Sequence, residues 1–379
     1  MNKIVYLDNS ATTKPCEKAI QNINVALSDC WGNPSSLYDF GFRAQTLVDD
    51  TRKAVAASLK CRDDEIYFVG SGTEGNNTAL LGAAASRKKR GNRIVTTSIE
   101  HPSVLETVKR LEDDGFDVVY LKPQADGVIS VEDLKAAINK NTILISIMLV
   151  NNETGAIQPV KEASQIIKQS GAPTLLHCDG VQAFGKMPIN ISELGVDLFT
   201  ASGHKIHGPK GVGVLYVKKG VTIKPLLTGG GQEKNMRSGT ESVPLIYGLK
   251  GAVDCLGNTN ENLKHTKELW SYAKETLTQT GIVTINSSDN ALPYILNISV
   301  EGYRSETLLH FLEAFGVYVS SGSACAKGEG SYVLREMGLS RNRIDSALRI
   351  SFSRDNTKDD VDTLKSALLA ATQKLRRSN

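Results

Sequence analysis

Between residues 65 and 178, short runs rich in β-branched residues alternate with amphipathic stretches of helical period: 65–69, 77–90, 93–99, 104–114, 118–121, 131–139, 143–150, 161–170 and 175–178. This alternation predicts an α/β fold, in which parallel strands are joined by helical crossovers into a mainly parallel sheet wrapped by helices. Functional residues in such a sheet gather at the carboxyl ends of the strands. Gly70, Gly72 and Thr73, His101, Asn151 and Asn152, and Asp179 all fall at such ends. After about residue 255 the pattern becomes helix, strand, strand, helix, and it closes on an amphipathic stretch at 358–374. We therefore expect a large domain over 15–255 and a smaller α+β domain made of 1–14 and 256–379. No internal repeat or low-complexity linker is visible.

The chain has 379 residues, 40% hydrophobic and 22% charged, enough to bury a substantial core. A net charge of +3 gives no reason to expect nucleic-acid or membrane binding, and the basic run 87–90 suits a helix C-terminus. Met1 to Asp8 carries an acid inside its apolar stretch, unlike a signal peptide, so a cytoplasmic location is expected. The longest apolar run, 143–150, is too short to span a bilayer. The six cysteines show no metal-ligand spacing and no disulfide framework, so no metal is expected. Most read as small buried hydrophobes.

The segment 200–211 brings Lys205 from a strand end into a turn, next to Ser202 and His204. A partly desolvated lysine so flanked can lose its proton and form a Schiff base with an aldehyde. Upstream, a buried strand over 175–178 ends in Asp179, a carboxylate able to hold a protonated pyridine nitrogen. A lysine for the aldehyde and an aspartate for the ring nitrogen are the requirements of pyridoxal 5'-phosphate. The plain alternative for Lys205 is a solvated loop lysine. A second alternative is a dinucleotide fingerprint, since Gly70-Ser71-Gly72-Thr73-Glu74-Gly75 matches GxGxxG and Glu100 closes the next strand. That reading leaves Lys205, Asp179 and Gln182 without a role. The same loop serves a phosphate, through backbone amides at a helix start and the Thr73 hydroxyl.

With these residues in place, the chain resembles the class V aminotransferase family of fold-type I pyridoxal phosphate enzymes, and within it the cysteine desulfurases of the NifS/IscS type. The resemblance runs from Tyr6-Leu7-Asp8-Asn9-Ser10-Ala11-Thr12-Thr13 to the last helix. It passes through Gly32-Asn33-Pro34-Ser35-Ser36, Glu100-His101, Asn151-Asn152-Glu153-Thr154-Gly155, Arg237-Ser238-Gly239-Thr240 and Ser320-Ser321-Gly322-Ser323-Ala324-Cys325. It implies a large domain with a mainly parallel seven-stranded sheet. It further implies that Lys205 carries the cofactor and Asp179 pairs with its ring nitrogen. Gln182 and Asn152 would contact the ring hydroxyl and substrate side, and His101 would stack on the ring and shuttle protons. Gly72, Thr73, Ser202 and His204 would bind the phosphate. The threonine matching Thr240 reaches the cofactor of a neighbouring subunit in the family, which implies a homodimer.

Cys325 points to the reaction. It lies in a glycine-rich stretch of small residues, read as a mobile surface loop at about 320–331, where a thiolate beside Lys327 can attack sulfur. The expected chemistry is removal of sulfur from L-cysteine, with the substrate carboxylate held by Arg349 and by Asn33 or Asn152. A persulfide on Cys325 and L-alanine result, and the sulfur passes to an acceptor protein, an iron–sulfur scaffold or a thiolation enzyme. The loop is shorter than in the best-known housekeeping members, which puts delivery to a distant scaffold in doubt. Rival readings are a selenocysteine lyase, another aminotransferase-like enzyme of this fold, or a non-catalytic interaction protein.

Overall fold

The structure is a computed structural model and describes residues 4–321 and 330–377. The strands are β1 (Val5–Tyr6), β2 (Ile66–Val69), β3 (Arg93–Thr97), β4 (Asp117–Leu121), β5 (Thr142–Ser146), β6 (Leu175–Asp179), β7 (Leu198–Ser202), β8 (Gly213–Val217), β9 (Thr284–Ile285), β10 (Ile295–Ser299), β11 (Val317–Tyr318) and β12 (Ala347–Ser351). Seven of them form one sheet in the order β2-β8-β7-β6-β5-β3-β4. Its pairings are parallel except where β8 meets β7 and β2. The sheet is therefore the mainly parallel one that the alternation predicts. β5 to β8 are buried along their whole length, the reason they read as continuous apolar runs.

A second core lies around an antiparallel sheet ordered β12-β10-β9 and a parallel pair of β1 with β11. Leu7, Trp270, Leu296, Leu348, Leu364 and Leu368 are among its members. The N-terminal strand β1 thus belongs to this second body, and the chain then crosses to the ends of β6 and β7. Asp8 still bridges to Ser351, while the amide of Thr13 already donates to the carbonyl of His204 (2.9 Å). No helix among the described residues is long and apolar enough to cross a membrane.

The predicted elements recur with informative shifts. The final helix occupies Lys358–Lys374 as the pattern predicts. The helix expected from residue 77 begins at Gly72, because the Ser71 hydroxyl accepts the amide of Glu74 (3.1 Å) and caps it five residues earlier. The strand expected over 143–150 ends its ladder at Ser146. Past that point the amides of Ile147 and Leu149 still donate to the carbonyls of His177 and Asp179, which carries the chain alongside β6 toward Asn151. The cysteine expectation fails. Of those described, only Cys178 is buried, while Cys16, Cys30, Cys61 and Cys255 are partly exposed. Cys16 and Cys255 cap helix ends, and Cys30 and Cys61 lie just beyond helix ends, where apolar burial is incomplete.

One buried ion pair ties down the loop leading to Thr240. Arg52 meets Glu233 through two hydrogen bonds (2.8 and 2.9 Å), donates to the carbonyl of Ile66 (2.6 Å) and lies over the Phe68 ring (4.8 Å). Glu233, Lys234 and Asn235 are three consecutive non-glycine residues in left-handed conformation, with φ of 48°, 54° and 65°. Such residues persist only where their surroundings over-determine them. Replacing Glu233 by Ala strands a buried guanidinium, so denaturant unfolding should show a loss of about 3–5 kcal/mol. A loss below about 1 kcal/mol, the scale of an exposed pair, would show that the loop is anchored otherwise.

Candidate active site

Lys205 closes a short turn, Gly203–Lys205, directly after β7. Its Nζ donates to the carbonyls of Ser10 (2.6 Å) and Ala11 (2.7 Å). Partners of this kind were not anticipated, since Ser202 and His204 are its neighbours in sequence. His204 instead pairs its Nδ1 with the Thr12 hydroxyl (3.2 Å), and burial, with the nearby charge of Lys205, pushes its pKa down to about 4. Burial and then the positive charge of Arg349 push the pKa of Lys205 down to about 8, against the pull of Asp8 and Asp179. On the order of a tenth of the amine is then unprotonated at pH 7, where an ordinary lysine has almost none.

Asp179 ends β6 and is buried. One carboxylate oxygen accepts from Asn76 Nδ2 (2.7 Å), the other from the amide of Val181 (2.9 Å). Asn76 also donates to the Ser103 hydroxyl (2.9 Å), which stands 2.8 Å from Nδ1 of His101. His101 caps the helix Pro102–Asp113, its Nδ1 accepting the amide of Ser103 (3.1 Å). Partial desolvation in the cleft lowers its pKa, with Asp179 opposing and Lys205 adding to the shift.

The start of the helix Gly72–Arg87 is pressed against this site. A Cβ on Gly72 would come within 2.9 Å of Val181 and 3.6 Å of Ser202, and one on Gly75 within 2.7 Å of Thr200. Glycine is required there by close approach, not by φ. Thr73 is exposed at the first turn, and Ser202 is buried at the end of β7.

On the opposite side Arg349 projects from β12. It donates to Asp8 Oδ1 (2.8 Å) and to the carbonyl of Asn152 (3.0 Å). Gln182 is buried, donating to the carbonyl of Ser10 (3.0 Å) and accepting from Lys186 Nζ (2.8 Å). Lys186 is itself buried, and that burial, then Lys205 and Arg349, push its pKa down to about 7. Asn33 lies apart on an exposed turn, its Oδ1 accepting the amide of Ser35 (3.0 Å), and no described contact joins it to Arg349. Thr240 is exposed. Cys325 and Lys327 lie outside the described residues.

Sequence reasoning missed the roles of Asn76 and Lys186. It also missed the backbone carbonyls of Ser10 and Ala11, which have no side-chain signature. Glu100, the acid that a dinucleotide site would need, is fully buried; its Oε1 accepts from Thr97 (2.8 Å) and from the amide of Met148 (2.9 Å). A carboxyl placed there cannot reach a ribose, and the GxGxxG reading falls.

Against known proteins, residues 5–364 match the family model for class V aminotransferases. The chain belongs to that family. It is 40% identical over 368 residues to a putative cysteine desulfurase of Bacillus subtilis, covering 95% of this chain and 96% of that one. It is also 40% identical over 379 residues to the cysteine desulfurase IscS of Methanosarcina thermophila, covering 99% and 93%. Among solved structures, a NifS-like protein superposes with TM-score 0.94 at 37% identity, over 98% of this chain and all (100%) of that one. The protein SspA in complex with cysteine gives 0.83 at 32% identity, over 93% of this chain and 99% of that one.

Membership of this family implies pyridoxal phosphate, and the residues present fit it. Buried Ser10 Oγ, Asn76 Oδ1, Asn152 Oδ1 and Arg349 Nε have no hydrogen-bond partner among the described residues. Each belongs to a residue already joined to Lys205, Asp179 or Arg349. Orphaned buried polar atoms are costly, and a polar ligand satisfies them. An amine of lowered pKa, a buried carboxylate and a helix start with glycine at the contact complete the complement of a phosphorylated pyridine aldehyde.

Burial pushes the Glu100 carboxyl up to about 8, opposed by its two hydrogen bonds. The folded state then holds a proton that the unfolded chain has released, so Glu100 favours folding below the usual carboxylate range and loses that contribution as pH rises toward 8. Thermal melts of Glu100→Gln should show a flatter loss of stability from pH 5 to 8 than the unmodified protein. Identical slopes would remove Glu100 as its source.

Proposed function

We propose that the chain is a pyridoxal-phosphate-dependent cysteine desulfurase, which moves sulfur from L-cysteine to Cys325, releases L-alanine and passes the sulfur to an acceptor protein. The observation that carries this reading is the Lys205 amine, depressed in pKa and facing Asp179 across the ends of β6 and β7, in a chain that also carries Cys325. Relatives named as cysteine desulfurases over nearly the full chain support it.

Lys205 would hold the aldehyde carbon of the cofactor, Asp179 its ring nitrogen, and Gln182 and Asn152 its hydroxyl and the substrate side. Gly72, Thr73, Ser202 and His204 would hold its phosphate, and His101 would lie on its face. When bound, pyridoxal phosphate supplies a sink for the electrons released at the substrate Cα. Arg349 orients the substrate carboxylate through its guanidinium, for which Asp8 is the present partner. Lys205, its pKa lowered, would take the proton from the substrate Cα. The Cys325 thiolate then attacks the substrate sulfur: a sulfur–sulfur bond forms, the Cβ–S bond breaks and its electron pair goes to Cβ. Protonation there, with His101 as donor, leads to alanine. Asn33, exposed and apart from Arg349, would join only if the 32–36 turn closes on substrate.

The same reading proposes a homodimer in the cytoplasm, with Thr240 reaching the neighbouring subunit's cofactor. Its support is an apolar surface around the start of the helix Asp39–Leu59, where Trp31 (67%), Leu37 (105%), Tyr38 (63%) and Phe42 (72%) stand in solvent. A patch of this kind marks a protein contact. We also propose the division into 15–255 and 1–14 with 256–379, which follows the separate cores. The short 320–331 loop favours an acceptor that docks close to the site over a distant iron–sulfur scaffold.

Cys325→Ser should keep the cofactor absorption band while alanine release from cysteine falls by at least about a thousandfold, the scale of losing a nucleophile. Retained turnover removes Cys325 from the mechanism. Borohydride reduction of the holoprotein should place a pyridoxyl group on Lys205 in peptide maps. Label on another lysine, or on none, would overturn the site, and pyruvate or a keto acid in place of alanine would change the reaction.

A further inference from the structure

We infer that Cys16 and Cys255 form a reversible disulfide site, a two-electron redox modification point separate from the catalytic thiol. Cys16 is the N-cap residue of the helix Glu17–Ser28, and Cys255 ends the helix Val243–Asp254. These helices meet closely because Gly251 lies at the crossing, where a Cβ would come within 2.6 Å of the Lys18 carbonyl and 2.7 Å of Ala19. The carbonyl of Gly251 accepts from both partners, from Cys16 Sγ (3.7 Å) and from the amide of Cys255 (3.2 Å). Cys16 Sγ and the backbone of Cys255 thus converge on one carbonyl. Both are partly exposed.

The two sulfurs are not equivalent. Cys16 is the N-cap residue of its helix, and its side chain accepts no amide there. Burial holds the Cys255 thiol above its usual range, so Cys16 serves as the nucleophile. A hydroperoxide is the class of oxidant required. The Cys16 thiolate attacks its O–O bond, takes one oxygen as sulfenic acid and releases the other as alcohol or water. The Cys255 thiol then attacks the Cys16 sulfur, forms the S–S bond and expels water. Two thiols have lost two hydrogens and two electrons, the peroxide has gained them, and an external thiol reverses the change by exchange.

The site touches the clamp on Lys205. The amide of Cys16 donates to the carbonyl of His207 (2.9 Å), and the amide of His207 donates to the Thr13 hydroxyl (2.7 Å). A bond from Cys16 to Cys255 therefore pins the root of the Ser10–Cys16 segment onto the helix Val243–Asp254. The Arg354 guanidinium, bonded to the carbonyl of Cys255, holds the far side of the joint in place.

The test uses holoenzyme carrying Cys325→Ser, which removes the thiol proposed to react in catalysis, treated with hydrogen peroxide and mapped without reduction. The expected result is a cross-linked pair of peptides containing Cys16 and Cys255, lighter by two hydrogens and separated by dithiothreitol. Adding Cys255→Ser should abolish the link and trap a dimedone-reactive sulfenic acid on Cys16; Ser at position 16 should give neither. The proposal is overturned if Cys16 and Cys255 both remain open to alkylation once peroxide has oxidised Cys30 or Cys61. It is equally overturned if the link forms only in unfolded protein.

Discussion

Positive charges crowd the ends of β6 and β7, and the rest of the site depends on how they are held apart. Lys186, Lys205 and Arg349 act on one another there, with Asp8 and Asp179 as counter-charges to Lys205. In a low-dielectric pocket such repulsion lowers the pKa of whichever member can release a proton. Arginine cannot, so the two lysines yield, to about 7 and about 8. The lowered pKa of each amine is thus a product of burial first and of the charge arrangement second.

This arrangement is completed by a piece of chain from elsewhere in the sequence. β1 pairs with β11 in the second core, and only afterwards do residues 8–13 cross to the large sheet. They deliver Asp8 to Arg349, and the carbonyls of Ser10 and Ala11 to Lys205. The large sheet alone would leave Lys205 without its two acceptors and would lack the Arg349–Asp8 pair altogether. Both bodies therefore have to be docked before the site exists.

Legibility in the sequence followed the same division. Elements whose signal is periodic were readable, such as the buried strands β5 and β6 and the helix Lys358–Lys374. So were side chains at strand ends, where the architecture itself says to look, as for Asp179 and Lys205. Asn76 was not assigned a role, because its partner Asp179 is 103 positions away and nothing local marks the contact. Its place near the start of a helix that follows a strand end was the available signal. The cysteines misled for a related reason. Burial was expected of most cysteines by residue type, but at a helix terminus such as that of Cys255 the final turn projects out of the core.

His101 shows what such distant contacts add. The amide of Ser103 can only donate, so Nδ1 of the imidazole must present its lone pair to it. The Ser103 hydroxyl, already accepting from Asn76, donates to the same nitrogen. The ring is therefore neutral with its proton on Nε2, and that nitrogen is a donor. The chain of hydrogen bonds from Asp179 through Asn76 and Ser103 thus couples the carboxylate at the end of β6 to the imidazole of His101. A histidine with the same cap but without Asn76 would keep its orientation and lose that coupling.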